Sequence, residues 1–438
     1  TSTIKVNTIQ DSCGSALVAK CGSTITLGAS GKTIALASGA SQTGFGRTGT
    51  VDWCTTAKTS PFTAVSGDGF FVNTTGGAIT VTLPSSPSAG DIVSLKDYAN
   101  TWDTNNVTLA RNGSKINGQC SCALLDTESQ SVTLIYVDGT KGWQSIQDGT
   151  SNVSGAAFIA ATGGTIATSG DYKIHTFTSD SNFVVTCRGN SAGSNKVSYL
   201  VVAGGGGSGR YYGGGGGGGG YREGKAPAFD SYSASPLVAP DGLTVTDATY
   251  PITVGGGGAT GNGSPPYSAG VSGTNSVFST ITSAGGGGGA GGHTTHDPAK
   301  DGGSGGGGHY PSPASSGSET GGAGNTPPVS PPQGTPGVTT PVPAWAGAGG
   351  GATATGSIRV GGAGATSSIN GTPTGRAGGG AGGPCSGVGS PQAGAAAASP
   401  CGSGANYNTS ATANTGGGGG SDGGAGGSGI VIIRYKFQ

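Results

Sequence analysis

His175, His293, His296 and His309 are the only imidazoles in this chain of 438 residues, so any histidine-based chemistry must use them. A Ser-His-Asp arrangement would need one of them beside an activated serine, and no serine here sits in a strand-turn-helix frame. His293-Thr-Thr-His296-Asp297, with His309 nearby, has donor types suited to a metal ion, but a polar loop is the plainer reading. Many GxGxxG matches occur. Without a βαβ unit, in so glycine-rich a region, they carry no dinucleotide signal. Glycoside cleavage needs two carboxylates facing one bond. Only eight acidic residues follow position 200, and no clustered pair stands out. We therefore expect no enzyme activity, no cofactor and no metal.

The eight cysteines lie at 13, 21, 54, 120, 122, 187, 385 and 401. The chain is too long and too sparse in cysteine for a stapled mini-scaffold. Cys120-Ser121-Cys122 is too tightly spaced for the usual zinc pair. Mostly free thiols are expected, with Cys385 and Cys401 the best disulfide pair and the state of Cys13 and Cys21 open. Aromatic residues suit recognition better. Tyr211, Tyr212, Tyr221, Tyr232, Tyr267, Tyr310, Trp345 and Tyr407 all lie in or beside loops between glycine runs. Tyrosine and tryptophan give large contact area at low entropic cost.

Short strands must position these residues in the first half. Residues 3–45 carry period-two segments, Thr3–Ile9, Ser23–Leu27 and Lys32–Leu36, punctuated by Gly and Asp. One such run cannot bury a face, so stacking on copies in neighbouring chains is expected. Residues 51–150 read as a compact β-module with strands at 69–73, 78–83, 92–97, 107–110, 131–137 and 143–146. Asn112-Gly113 and Asp138-Gly139 are tight-turn dipeptides. Residues 151–203 add strands at 172–178, 183–188 and 196–203. No helical period is sustained anywhere.

From residue 204 the composition changes. Of 96 glycines, 24 lie in residues 1–200 and the remaining 72 in residues 201–438; of 23 prolines, 3 precede that boundary and 20 follow it. Each ordered glycine costs roughly 0.5–1 kcal/mol more than alanine, so a mere linker would not need so many. The ordered alternative is a bundle of polyglycine II helices. These make no internal hydrogen bonds, so every backbone donor must find a neighbouring helix, and close neighbours leave no room for a Cβ. Gly213–Gly220 would then span about 25 Å. The predicted fold is all-β, in four parts. Residues 1–50 form an intertwined fibre shaft, 51–150 a β-sandwich-like module and 151–203 connecting strands. Residues 204–438 form a polyglycine II bundle with long loops, closed by a strand at 429–437 that should pair or pack with 197–202 at the bundle's base.

Charge sets further bounds: 20 basic against 20 acidic residues favour neither nucleic acid nor an anionic membrane. No apolar run reaches the length of a membrane span. The opening Thr1-Ser2-Thr3-Ile4 has no signal-peptide pattern. It reads as a complete chain made in a cytoplasm without a secretion signal.

Three stretches carry a resemblance. Tyr199-Leu-Val-Val-Ala-Gly-Gly-Gly-Gly207, Asn275-Ser-Val-Phe-Ser-Thr-Ile-Thr-Ser-Ala-Gly-Gly286 and Gly427-Ser-Gly-Ile-Val-Ile-Ile-Arg-Tyr-Lys-Phe437 resemble the glycine-rich domain of bacteriophage tail-fibre proteins. Gly69–Pro84 is similar to a β-module that often precedes it, and Ile4–Asp11 is typical of such fibres. The architecture also resembles the tip adhesins of T-even-type phages. The resemblance implies a virion tail-fibre subunit, a homotrimer joined to other virion tail proteins. Its tip loops would bind a bacterial surface receptor, an outer-membrane protein or a glycan. The rivals are a glycine-rich structural or ice-binding protein, and a virion component without receptor contact. If runs alternate in direction, loops alternate between the two ends. Parity then groups Trp345 in loop 325–346 with His293, His296 and loop 366–374, and leaves Tyr310, Tyr267 and Tyr407 as the alternative set. Nine prolines in residues 311–343 would stiffen the loop before Trp345.

Overall fold

The computed structural model describes residues 8–10, 16–21, 24–27, 51–146, 158–190, 193–292, 297–310, 319–340, 345–383 and 404–438. Among them the chain is all-β: there is no helix, and none of the sheets closes into a barrel. The chain divides into two compact units, residues 1–52 and 53–438. In the first, β1 (Thr8–Gln10), β2 (Ala16–Cys21) and β3 (Thr24–Leu27) pair antiparallel within the chain. Lys32–Leu36 and the disulfide candidates Cys385 and Cys401 lie outside the described residues.

The β-module is a two-sheet sandwich. One sheet has β5 (Phe62–Thr63), β7 (Ile79–Thr82), β9 (Val107–Ala110) and β10 (Ala123–Leu125). The other has β4 (Asp52–Lys58), β6 (Asp68–Val72), β8 (Ile92–Asp97), β11 (Ser131–Asp138) and β12 (Gly142–Ser145). Strand alternation makes the core. Ile79 and Val81 are buried while Thr80 is exposed, and Leu95, Leu109, Leu125, Leu134, Trp102 and Trp143 join them between the sheets. The Asp138-Gly139 turn is held by the Asp138 carboxylate, which accepts from the backbone N–H of Thr140 at 2.8 Å and of Lys141 at 2.6 Å.

The strands of residues 159–202 share sheets with the glycine-rich half. One sheet runs β13 (Ile159–Thr162), β16 (Ser181–Arg188), β21 (Thr249–Thr253), β22 (Ser276–Phe278), β23 (Ile281–Ser283). The other runs β14 (Thr165–Ser169), β15 (Tyr172–Phe177), β26 (Ile430–Lys436), β17 (Lys196–Val202), β18 (Tyr221–Gly224), β19 (Val238–Ala239), with β20 (Leu243–Thr244) also on β17. β17 and β26 pair as expected, with Leu200 opposite Ile432 and Val202 opposite Ile430. Both are buried on two faces. Tyr199, Val201, Val431 and Ile433 enter one core, while Leu200, Val202, Ile430 and Ile432 enter another. A two-residue apolar period cannot describe such strands, which read as continuous β-branched runs.

Above this base stand the glycine runs. The N–H groups of Gly214, Gly217 and Gly220 donate to Ala290, Gly287 and Ala284; those of Gly215 and Gly218 to Gly347 and Gly350; those of Gly216 and Gly219 to Gly419 and Gly416. All seven bonds are 2.7–2.9 Å. Every third residue addresses the same neighbour, and none of the seven donor glycines 214–220 has positive φ, which is polyproline II geometry. The run also accepts from three further neighbours, at Gly206, Gly307 and Gly380. A run with six neighbours has no side open to a Cβ. One built on Gly216 would overlap the carbonyl oxygen of Gly206.

Candidate functional site

The runs 203–209, 213–220, 255–261, 269–275 and 284–292 each join a strand of the base sheets at one end, and the opposite end of the bundle is built from the turns between runs. β17 continues into the run 203–209, which turns at Arg210, Tyr211 and Tyr212 and descends through 213–220 to β18. Tyr310 N–H donates to Tyr212 O at 3.0 Å, Gly292 N–H to Arg210 O at 3.2 Å, and Asp422 N–H to Gly209 O at 3.2 Å. Ala346, next to Trp345, bonds to Gly383, and Gly347 to Gly308, in the same end layer. Tip turns from distant parts of the sequence therefore meet.

Aromatic rings organise this tip. Tyr211 stacks on Tyr267 with centroids 4.2 Å apart and planes 5° from parallel. It meets Tyr212 edge-on at 4.8 Å, and Tyr212 meets Tyr310 at 5.9 Å. Tyr211 remains 43% exposed, a large aromatic surface open to solvent. Trp345, half-buried, has the Arg359 guanidinium 4.6 Å over its ring. Asp422 is the polar clamp. Its carboxylate accepts from Tyr211 N–H at 2.9 Å and from the Tyr407 hydroxyl at 3.3 Å, and its carbonyl accepts from Arg210 Nη1 at 3.3 Å. Burial first, then the Asp422 charge, raises the Tyr407 hydroxyl above its ordinary range, so it stays a neutral donor. His309, buried, sets Nδ1 3.5 Å from Glu319.

Tyr211 and Tyr212 both occupy the left-handed region, with φ of 56° and 63°. This costs an L-residue roughly 1–2 kcal/mol each. Glycine would adopt it freely, and glycine fills the flanking runs.

The structure corrects the parity grouping. Tyr267, Tyr310, Tyr407 and Trp345 share one end. Loop 366–374 is at the other: β24 (Ala365–Ser367) and β25 (Thr374–Arg376) form a hairpin beside β18, where Ser367 donates to Glu223 at 2.6 Å. The stretch 325–346 is two elements. Residues 325–333 turn at the base, where Gln333 Oε1 accepts from Ala284 N–H, and 334–340 climb back as a run, with Val338 bonded to Ala348. Tyr221 and Tyr232 are not loop aromatics but base core residues, 1% and 7% exposed. His293 and His296 lie outside the described residues. His175 is buried in the base between Gly163 O at 2.7 Å and the Tyr435 hydroxyl at 3.1 Å.

Sequence reasoning passed over Arg210, Arg359 and Asp422. Asp422 had one signal, being the lone charge inside the last glycine run. The miscounted loops had another. Gly255, Gly258 and Gly261, like Gly270 with Gly273 and Gly334 with Gly337, recur every third residue, and each would thrust a Cβ into a neighbouring backbone. On outer runs only the inward third must be glycine.

The chain belongs to the glycine-rich domain family, whose model matches residues 178–436. No curated protein matches it.

Proposed function

We propose that this chain is a bacteriophage tail-fibre subunit that attaches to a bacterial surface receptor through the bundle tip. The carrying observation is the Tyr211–Tyr212 pair. Two strained aromatics stand at the solvent end, Tyr211 stacked on Tyr267 and Tyr212 tilted against Tyr310, where glycine would relieve the backbone. Strain held at a surface turn points to function when the surrounding structure over-determines it. The bundle supplies that determination through its paired backbone. The base is built of sheets, whereas the described tip residues lie in turns, and we take the tip as the end that meets a partner.

In this reading the fibre is a homotrimer, anchored to other virion tail proteins through its N-terminal part. Repetition of the tip over three chains and several fibres gives avidity without one strong site. The receptor is an outer-membrane protein or a glycan.

The test is adsorption of virions carrying Tyr211→Gly with Tyr267→Ala, and separately Trp345→Ala. Adsorption to host cells should fall while fibre assembly and thermal unfolding are retained. Normal adsorption by both variants would place the loops in contact with another fibre protein instead.

A further inference from the structure

The β-module and the glycine-rich domain meet at a second polar site far from the tip turns. Lys115, in the loop between β9 and β10, pairs with Asp247, between β20 and β21, at 2.9 Å. Asp247 also accepts from the Arg188 backbone N–H at 2.7 Å, at the end of β16. Beside this bridge is a cavity of about 290 Å³ whose walls include Arg111, Lys115, Cys120, Thr186 and Cys187. Cys120 comes from the module and Cys187 from β16, one residue before Arg188. Both are free thiols that line this one cavity, Cys187 buried and Cys120 half-buried.

We propose that Cys120 and Cys187 are a redox clasp, a thiol pair that a peroxide converts into a disulfide joining the β-module to the glycine-rich domain. Both cysteines line one cavity, at a boundary that the Lys115–Asp247 pair holds together, so the two thiols are placed to meet there. The thiols are unequal. The neighbouring Cys120 side chain lowers the Cys187 thiol, with help from the Gly189 backbone N–H and the Arg111 charge, against the opposing effect of burial. Cys187 in turn, with burial, raises Cys120. Cys187 is therefore the nucleophile, and Cys120 resolves.

The step balances as follows. The Cys187 thiolate attacks one peroxide oxygen, the O–O bond breaks, and Cys187 sulfenic acid forms with release of hydroxide. Cys120 gives its proton to that hydroxide, making the first water. Its sulfur attacks the Cys187 sulfur and expels the sulfenic oxygen, which takes a proton from solvent as the second water. That proton replaces the one Cys187 lost in becoming a thiolate. Two thiols are oxidised to one disulfide, and one peroxide is reduced to two waters. Peroxide is water-sized, as a cavity leading to a buried thiol requires.

The test treats the full chain with hydrogen peroxide and digests it with trypsin without reduction. Cleavage after Lys115, Lys141, Lys173 and Arg188 puts Cys120 and Cys122 on peptide 116–141 and Cys187 on peptide 174–188. The two peptides should appear joined, lighter by two hydrogens than their sum. Cys122→Ser should keep the link and Cys120→Ser should abolish it. Cys120 is in a half-exposed loop, so its variant decides the matter even if Cys187→Ser unfolds. A bridge confined to peptide 116–141, a link that survives Cys120→Ser, or Cys187 recovered only as sulfinic acid would each overturn the clasp.

Discussion

In the β-module, Leu109, Leu125 and Leu134 fill the space between two sheets, whereas in the glycine bundle the space between runs is filled by backbone alone. The module is held by apolar area removed from water, about 25 cal/mol per Å², and it tolerates hydrophobic exchange of similar volume. The bundle removes little apolar side-chain area around Gly213–Gly220. It is held by satisfied peptide groups packed at backbone distance, each of which would be expensive to leave unpaired in the interior. The difference predicts opposite sensitivities. An added methyl is a small matter in the module and a large one in the bundle interior. A deleted methyl is the reverse.

The largest effect should therefore come from Gly216→Val. Its Cβ would overlap Gly206 O, and its six neighbours cannot move apart without breaking their own bonds. We expect a loss beyond about 3 kcal/mol, the upper end of ordinary overpacking, seen by chemical denaturation as loss of the folded bundle. Leu109→Ala should cost the module about 2–5 kcal/mol, with the bundle's own transition unmoved. Tolerance of Gly216→Val would remove the distinction between the two regions.

The base sheets beneath the bundle mix both modes. Arg434, in β26, pairs with Asp230 at 2.9 Å, and both side chains are almost wholly buried. The guanidinium also lies 4.2 Å from the Tyr172 ring centre. Removing one partner of a buried pair strands the other, so Asp230→Ala should cost about 3–5 kcal/mol. A paired replacement of Asp230 and Arg434 by apolar residues of similar volume should restore most of it. Failure of that rescue, measured by thermal unfolding, would mean the pair also sets the register of β26.

The two regions were also unequally legible. In the module the strands at 78–83 and 107–110 match β7 and β9, because period-two alternation over a one-sided core writes itself into the residues. β4 and β10 carry no such alternation and were not read. In the bundle, the long runs around Gly213–Gly220 announced a threefold packing that the hydrogen bonds display. The outer runs did not. Residues 269–275 and 334–340 face neighbours with only every third residue, and Val, Ser, Thr and Pro occupy the rest. Their sequence reads as loop, which shifts the turn count and separates Trp345 from Tyr267, Tyr310 and Tyr407. The Asp422 clamp joins residues over 200 positions apart, and no local pattern contains that information.

A smaller effect is expected from pH at the base. Burial lowers the pKa of His175 below its ordinary 6.5. The folded state therefore holds the ring neutral while the unfolded chain protonates it. Stability from this residue is complete above about pH 6.5 and is lost as pH falls from there through the lower folded value. The slope is at most about 1.4 kcal/mol per pH unit. His175→Gln should flatten the fall between pH 6.5 and 5 in a denaturation series. An unchanged slope would assign the loss to other groups.

The smallest effect has the most telling sign. If Tyr211 is retained for contact and not for folding, replacing it should release strain. Tyr211→Gly keeps the turn, since glycine enters the left-handed region without the Cβ penalty, and removes the roughly 1–2 kcal/mol that region costs an L-residue. Against this stands the lost stacking on Tyr267, about 0.5–1.5 kcal/mol for an aromatic pair, and the added freedom of the unfolded chain. The net should lie within about 1 kcal/mol of zero. Tyr211→Ala keeps the strain and loses the stacking, so it should be less stable than Tyr211→Gly. That ordering, glycine above alanine at a tyrosine position, can be measured by paired unfolding curves. The reverse ordering would mean that the backbone at the tip relaxes out of the left-handed region in solution. The tyrosine pair would then no longer mark the tip as a place where stability has been given up for contact.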